Sequence, residues 1–125
     1  MERVVDDIGI VRYFENGKLH RLDGPAIEYS GGTKYWYKEG LLHREDGPAV
    51  EWKDGYKEWY IDNIPCFDMQ DFRFYTENGV YIGIEKGKYG FEWVKFLTEN
   101  EIKEFPIHPG AKEICEEIKG LVSTL

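Results

Sequence analysis

Between residues 26 and 60, large apolar and polar side chains alternate with a period of two, in four short runs at 26–29, 34–37, 49–52 and 57–60. Such alternation predicts half-buried β-strands. Gly31-Gly32 and Asp54-Gly55 separate the paired runs. Both dipeptides favour the two-residue type I′ hairpin turn, whose central residues need positive φ. Turns at those places set a register. Ala26 faces Tyr37, Ile27 faces Trp36, Glu28 faces Tyr35 and Tyr29 faces Lys34; in the second hairpin Ala49 faces Tyr60, Val50 faces Trp59, Glu51 faces Glu58 and Trp52 faces Lys57. One face then carries Ile27, Tyr29, Trp36, Val50, Trp52 and Trp59 and is expected to be the core side. The other carries Ala26, Glu28, Tyr35, Tyr37, Ala49, Glu51, Glu58 and Tyr60 and is expected to be exposed.

The two hairpins are copies of one unit. Gly17-Lys18-Leu19-His20-Arg21-Leu22-Asp23-Gly24-Pro25-Ala26 returns as Gly40-Leu41-Leu42-His43-Arg44-Glu45-Asp46-Gly47-Pro48-Ala49, and windows 17–34 and 40–57 share 11 of 18 residues at a spacing of 23. A short fixed period means supersecondary units that bury their apolar faces against one another. Trp59-Tyr60-Ile61-Asp62-Asn63-Ile64-Pro65-Cys66 continues the pattern in decayed form, as a terminal unit capping the stack would. In each copy Asp-Gly-Pro restarts a strand: Asp bonds local backbone, Gly takes the awkward conformation, and Pro needs no ladder partner.

Past residue 66 the repeat is lost. Residues 72–76 and 80–85 flank Glu77-Asn78-Gly79 and read as another hairpin; residues 91–97 read as a central strand, and 98–105 as a short helical turn or acidic loop. From Pro109 to Leu125, Ala111, Ile114, Cys115, Ile118, Val122 and Leu125 recur at three- and four-residue steps, which predicts an amphipathic helix. Its stripe either caps the open face or end of the sheet or forms a contact with a second copy (a homodimer) or with another partner. The fold class is therefore mainly β (α+β), an antiparallel meander of ~23-residue hairpin repeats with further strands and a C-terminal helix. The chain is expected to be one domain over 1–125, divided into repeats (12–66), added strands (67–108) and helix (109–125).

Composition narrows the chemistry. Sixteen per cent of residues are aromatic, which sets the chain apart from disordered sequences despite 32% charged residues. A net charge of −8 argues against direct nucleic-acid binding through phosphates and suits a protein partner with a basic surface. Two cysteines, Cys66 and Cys115, make neither a disulfide framework nor a metal pattern. No apolar stretch has the length of a membrane span and the N-terminus lacks a signal-peptide pattern, so the expected location is the cytoplasm, with no membrane partner.

His20 and His43 are each followed by Arg and, two residues later, by Asp. A motif stamped twice in the same register is what scaffold positions look like, so the chain is expected not to be an enzyme and to carry no catalytic residues, metal or cofactor. Here His packs on a neighbouring ring and Arg pairs with Asp. Gly83-Ile84-Glu85-Lys86-Gly87-Lys88 lacks the spacing of a phosphate-binding loop. Glu51 opposite Glu58 places like charges face to face, which costs up to about 1 kcal/mol; either the two carboxylates splay apart in solvent or they form part of an acidic surface that meets Arg or Lys on a partner. Tyr35, Tyr37, Glu51, Glu58 and Tyr60 are therefore the candidate partner-binding residues.

The run from Trp36 to Ala49, with its His-Arg-x-Asp-Gly-Pro-Ala core, resembles the divergent MORN-like repeats of bacteriophage and giant-virus proteins and of bacterial antitoxin-like proteins. The likeness covers residues 12–66. Arg21 and Arg44 stand where the ordinary repeat has Gly after the His, so the membrane-lipid roles attached to that family are not carried over. The resemblance implies a hairpin meander used for protein–protein contact, and a phage-encoded inhibitor of a host defence protein acting in the host cytoplasm. The competing expectations are a nucleic-acid mimic that inhibits a nuclease, a nucleotide-sequestering protein, and an antitoxin.

Overall fold

Pairs of positive-φ residues recur at the repeat spacing: Asn16-Gly17 (φ 51° and 77°), Glu39-Gly40 (50° and 82°) and Asp62-Asn63 (49° and 67°). Positive φ at both central residues is the type I′ signature. These turns join β2 (Val11–Glu15) to β3 (Lys18–Leu19), β6 (Tyr37–Lys38) to β7 (Leu41–Leu42), and β10 (Tyr60–Ile61) to β11 (Ile64–Pro65). The tight turns of the repeat thus lie on the Asn-Gly-type dipeptides 15 residues before the glycine bends. The computed structural model describes residues 1–125, which form two compact units, 1–64 and 65–125. The boundary falls where the repeat pattern fades.

In the first unit, β1 (Glu2–Val5), β4 (Ile27–Glu28), β5 (Lys34–Tyr35), β8 (Val50–Glu51) and β9 (Lys57–Glu58) join β2 in an antiparallel sheet of order β1-β2-β4-β5-β8-β9, with β3 beside β2. The hairpin register differs from the expected one by a single residue: Ile27 faces Tyr35, Glu28 faces Lys34, Val50 faces Glu58 and Glu51 faces Lys57. The cause is loop length. Tyr29 N–H donates to Thr33 O and Trp52 N–H to Tyr56 O, both at 2.9 Å, so each bend holds three residues rather than two. Only the last has positive φ, Gly32 at 106° and Gly55 at 94°, which fits a three-residue loop ending in a left-handed glycine.

The core of this unit is small and comes from the repeat itself. Ala26, Ile27, Ala49, Val50 and Ile61 are buried, with His20 and His43 among them. The alanines lie where backbones crowd: Ala49 N–H donates to Glu58 O at 2.9 Å while its carbonyl accepts from Trp36 N–H at 2.7 Å. The tryptophans expected inward do not form this core; Trp36 and Trp59 are half-buried and Trp52 is exposed.

The second unit is a three-stranded antiparallel sheet, β12 (Val80–Lys86), β13 (Glu92–Leu97) and β14 (Ile102–Ile107), with helices α1 (Met69–Asn78) and α2 (Lys112–Val122). Strand β13 is central, as its pattern predicts. Residues 72–76 are not a strand but part of α1. Asp68 caps that helix, accepting from Asp71 N–H at 2.9 Å while the Asp71 carboxylate accepts from Asp68 N–H at 3.2 Å. Met69, Phe72 and Tyr75, three residues apart, lie along one side and pack on the core. Asn78-Gly79 therefore ends a helix and makes no hairpin. A Cβ on Gly79 would meet Leu97 O at 2.9 Å.

Residues 98–105 also depart from expectation. Thr98 N–H donates to Glu101 O at 2.9 Å in a tight turn, and the chain returns as β14, an edge strand that tolerates Pro106. Helix α2 begins after Pro109, and its Ile118 and Val122 are buried with Phe67, Val94, Phe96 and Ile107. The stripe therefore serves its own unit as a cap. His108, in the loop before α2, is buried, with Nδ1 accepting from Gly110 N–H at 2.9 Å. No helix of the chain is long and apolar enough to cross a membrane.

Ala49→Leu should cost about 1–3 kcal/mol, because Ala49 is fully buried between the two chain segments that its backbone bonds to. Urea denaturation of the variant against the wild type measures that loss.

Candidate functional site

The one-residue register difference decides which side chains share a surface. Directly opposed residues point the same way, so the row Arg12–Ile27–Tyr35–Val50–Glu58 lies on one face and the row Glu28–Lys34–Glu51–Lys57 on the other. The second row alternates in sign along its whole length. The Glu51–Glu58 clash expected from the sequence is absent, since Glu51 faces Lys34 and Lys57.

Glu51 instead belongs to an arginine clamp. Arg44 donates through Nε to Asp46 Oδ1 at 3.0 Å and through Nη1 to both Pro48 O and Glu51 Oε1 at 3.1 Å, with its guanidinium 4.0 Å from the Trp36 ring centre. The first copy repeats the arrangement: Arg21 contacts Asp23 Oδ1, Pro25 O and Glu28 Oε1 at 3.1–3.2 Å and lies 4.1 Å from the Tyr13 ring centre. This geometry explains the Arg-x-Asp-Gly-Pro run. A Cβ on Gly47 would come within 2.6 Å of Arg44 Cζ, and one on Gly24 within 2.8 Å of Arg21 Cζ. The expected Arg–Asp pairing holds.

The histidines have a local task as well. His20 Nδ1 accepts from Glu39 N–H at 2.9 Å and His43 Nδ1 from Asp62 N–H at 3.1 Å. Each histidine ties the type I′ turn of the following copy to its own. Their outer nitrogens face carboxylates, Glu15 at 3.4 Å from His20 and Glu45 at 3.1 Å from His43.

Tyr35, Tyr37, Glu58 and Tyr60, four of the five candidate residues, do come together, with Tyr29 and Trp52 in place of Glu51. Tyr35 meets Tyr29 edge-on at 5.5 Å and Trp52 edge-on at 6.0 Å, and stacks with Tyr37 at 6.4 Å. Glu58 lies among them: Trp52 Nε1–H donates to Oε2 at 2.7 Å and Tyr60 O–H to Oε1 at 3.3 Å. Ile27 and Val50, both buried, share the row with Tyr35 and Glu58. Trp52 is 40% exposed and neighbouring Tyr56 is 64% exposed, so the cluster opens to solvent. Tyr29 and Trp52 were expected inward. One signal could have placed them: the position before the bend's last glycine is Gly31 in one copy and Asp54 in the other, while Gly32 and Gly55 are constant. A single required positive φ points to the three-residue bend.

Burial pushes the Tyr35, Tyr37 and Tyr60 phenols above their ordinary range; Glu58 adds to the rise at Tyr35, and both its charge and its hydrogen bond add to it at Tyr60. Elsewhere, burial pushes the Cys66 thiol up to about 12 against a weaker opposite pull from a backbone hydrogen bond with His108, which leaves it a poor nucleophile.

A concavity of about 280 Å³ lies between copies on the clamp side, lined by Trp36, Lys38, His43 and Arg44 together with Arg21 and Glu45. Its arginines are each already matched by two carboxylates, so it offers an anion little uncompensated charge.

No family model matches the chain, nor does any characterised protein or solved structure. The architecture therefore defines the class directly: a mainly β chain whose first unit is a repeat-built sheet with one clamped, charge-balanced face and one open aromatic face.

Two measurements follow. Arg44→Lys should cost about 1–3 kcal/mol in urea denaturation, since an ammonium cannot reproduce a fork that joins three acceptors while stacked on a ring. In alkaline titration followed by tyrosinate absorbance, Tyr35, Tyr37 and Tyr60 should ionise above the ordinary value of about 10. Their folded values exceed the unfolded ones, so the stability they contribute is present below about pH 10 and is lost as pH rises through the folded values. Glu58→Gln should move the Tyr60 step back down.

Proposed function

We propose that this chain is a protein-binding module that acts by contact through the aromatic face of its first unit. With the MORN-like resemblance of residues 12–66, the reading extends to a phage-encoded inhibitor of a host defence protein. The observation that carries it is the open cluster of Tyr29, Tyr35, Tyr37, Trp52 and Tyr60 around Glu58. Rigid aromatic side chains are the composition of interface hot spots, and they lose little entropy on docking. The partner has a basic surface, because the chain carries −8 and the face holds a carboxylate at its centre.

The rival readings draw less support. Mimicry of nucleic acid needs a row of outward carboxylates, and Glu28 and Glu51 are spent on Arg21 and Arg44. Nucleotide sequestration would need free cations beside Trp36, where the arginines are already balanced.

Affinity capture from the host with the wild-type chain identifies the partner, and titration of that partner then tests the surface. Tyr35→Ala with Trp52→Ala should weaken binding at least about a hundredfold, the loss of two hot-spot side chains, while Leu22→Ala on the other side of the repeat changes nothing. Equal affinity for the double variant and the wild type would retire the aromatic face.

A further inference from the structure

Resting on the protein-contact reading above, we infer that the aromatic face is a guanidinium receptor: the partner presents an arginine side chain that stacks against Tyr35 and Trp52 and sets its planar fork on Glu58.

The first support is the state of Glu58. Its two oxygens accept from an indole N–H and a phenol O–H, both neutral donors, and it enters no ion pair. Lys57, its sequence neighbour, faces Glu51 on the opposite side of the sheet. A carboxylate that accepts one neutral donor at each oxygen still has lone pairs left for a further donor. Charge-assisted bonds to such a group are about twice as strong as neutral ones.

The second support is ring geometry. Tyr29 and Trp52 meet Tyr35 at interplanar angles of 66° and 71°, so the rings stand as walls and not as one closed stack. Ring faces attract cations within about 6 Å of their centres, and the planar guanidinium does this while also matching a carboxylate edge.

The third support is that the chain already builds this constellation with its own arginines. Arg44 lies on the Trp36 ring with Glu51 and Asp46 at its edge, and Arg21 lies on Tyr13 with Glu28 and Asp23. At Tyr35, Trp52 and Glu58 the ring and the carboxylate are present, and the one arginine of that face, Arg12, is paired with Asp6 instead.

The repeat supplies a fourth. Around this face the positions Phe14, Tyr37 and Tyr60 stay aromatic at the 23-residue spacing, as do Tyr29 and Trp52. The position between them changes in every copy: Arg12, Tyr35, Glu58. Constant positions build the platform and the varying one sets its chemistry. In the first copy Arg12 is paired with Asp6 at 3.0 Å; in the last, the acid waits for a cation from outside.

The test uses the full chain and three probe peptides, acetyl-Gly-Arg-Gly-amide and its lysine and citrulline counterparts, followed through the Trp52 indole N–H resonance. The arginine peptide should shift that resonance saturably at millimolar concentration, and citrulline, the neutral isostere, should not. Glu58→Gln, which keeps an amide oxygen for the indole, should weaken the arginine titration by about tenfold, as expected on losing a charged acceptor. Citrulline acting as well as arginine, an unchanged titration in Glu58→Gln, or no shift at all would overturn the inference. Lysine binding as tightly as arginine would overturn the guanidinium assignment. The wild-type comparison of arginine with citrulline needs no variant to fold. If the arginine peptide fails while Tyr35→Ala with Trp52→Ala still abolishes partner binding, this inference falls and the protein-contact reading stands.

Discussion

Each bend of the first unit turns on one glycine held at positive φ, Gly32 or Gly55, at the end of a three-residue loop. A two-residue turn would pair every strand residue with a different neighbour. Because side chains alternate with a period of two, a shift of one residue on one strand carries its whole set to the other face. The three-residue bend sends Tyr35 and Glu58 to the side of Ile27 and Val50, and Lys34 and Lys57 to the side of Glu28 and Glu51. It thereby replaces a like-charge clash with an alternating ladder, and it surrounds one carboxylate with rings. The surface chemistry follows from that backbone geometry.

What holds successive copies in this arrangement is a second, longer-range device. The strands of the repeat are two residues long and their buried side chains are alanine, valine and isoleucine, so apolar burial alone supplies little. The arginine clamp adds a cation stacked on a ring and hydrogen-bonded to three acceptors, and the histidine adds a bond to the turn of the next copy. Both depend on close approach, which is why Gly24 and Gly47 are glycines although neither has positive φ. The clamp consumes the carboxylates of one face, so the opposite face is the one left with an unspent acid.

The second unit shows where local pattern and packing part company. Phe72, Phe74 and Val80, Ile82 alternate convincingly, and Asn78-Gly79 lies between them, yet residues 69–78 are helical. The deciding contacts are the reciprocal Asp68–Asp71 cap and the placing of Met69, Phe72 and Tyr75 on a core they share with Phe96 and Phe105. Three-residue spacing and two-residue spacing coexist in that short aromatic run, and only the neighbours choose between them. Residues 102–107 became a strand for a similar reason, since β13 offered a free edge. The C-terminal helix, which holds Ile114, Cys115, Ile118 and Val122 at helical steps, was plain in advance.

The 23-residue period, the antiparallel hairpins, the Arg–Asp pairing of His-Arg-x-Asp-Gly-Pro and the sharing of one face by Tyr35, Tyr37, Glu58 and Tyr60 were all readable from the chain, because each rests on residue chemistry at short range. The register of the hairpins was not, and neither was the departure of Glu51 or the arrival of Tyr29 and Trp52. Those outcomes hang on a single backbone angle at Gly32 and Gly55 and on which strand lies alongside, and a linear string of side chains records neither.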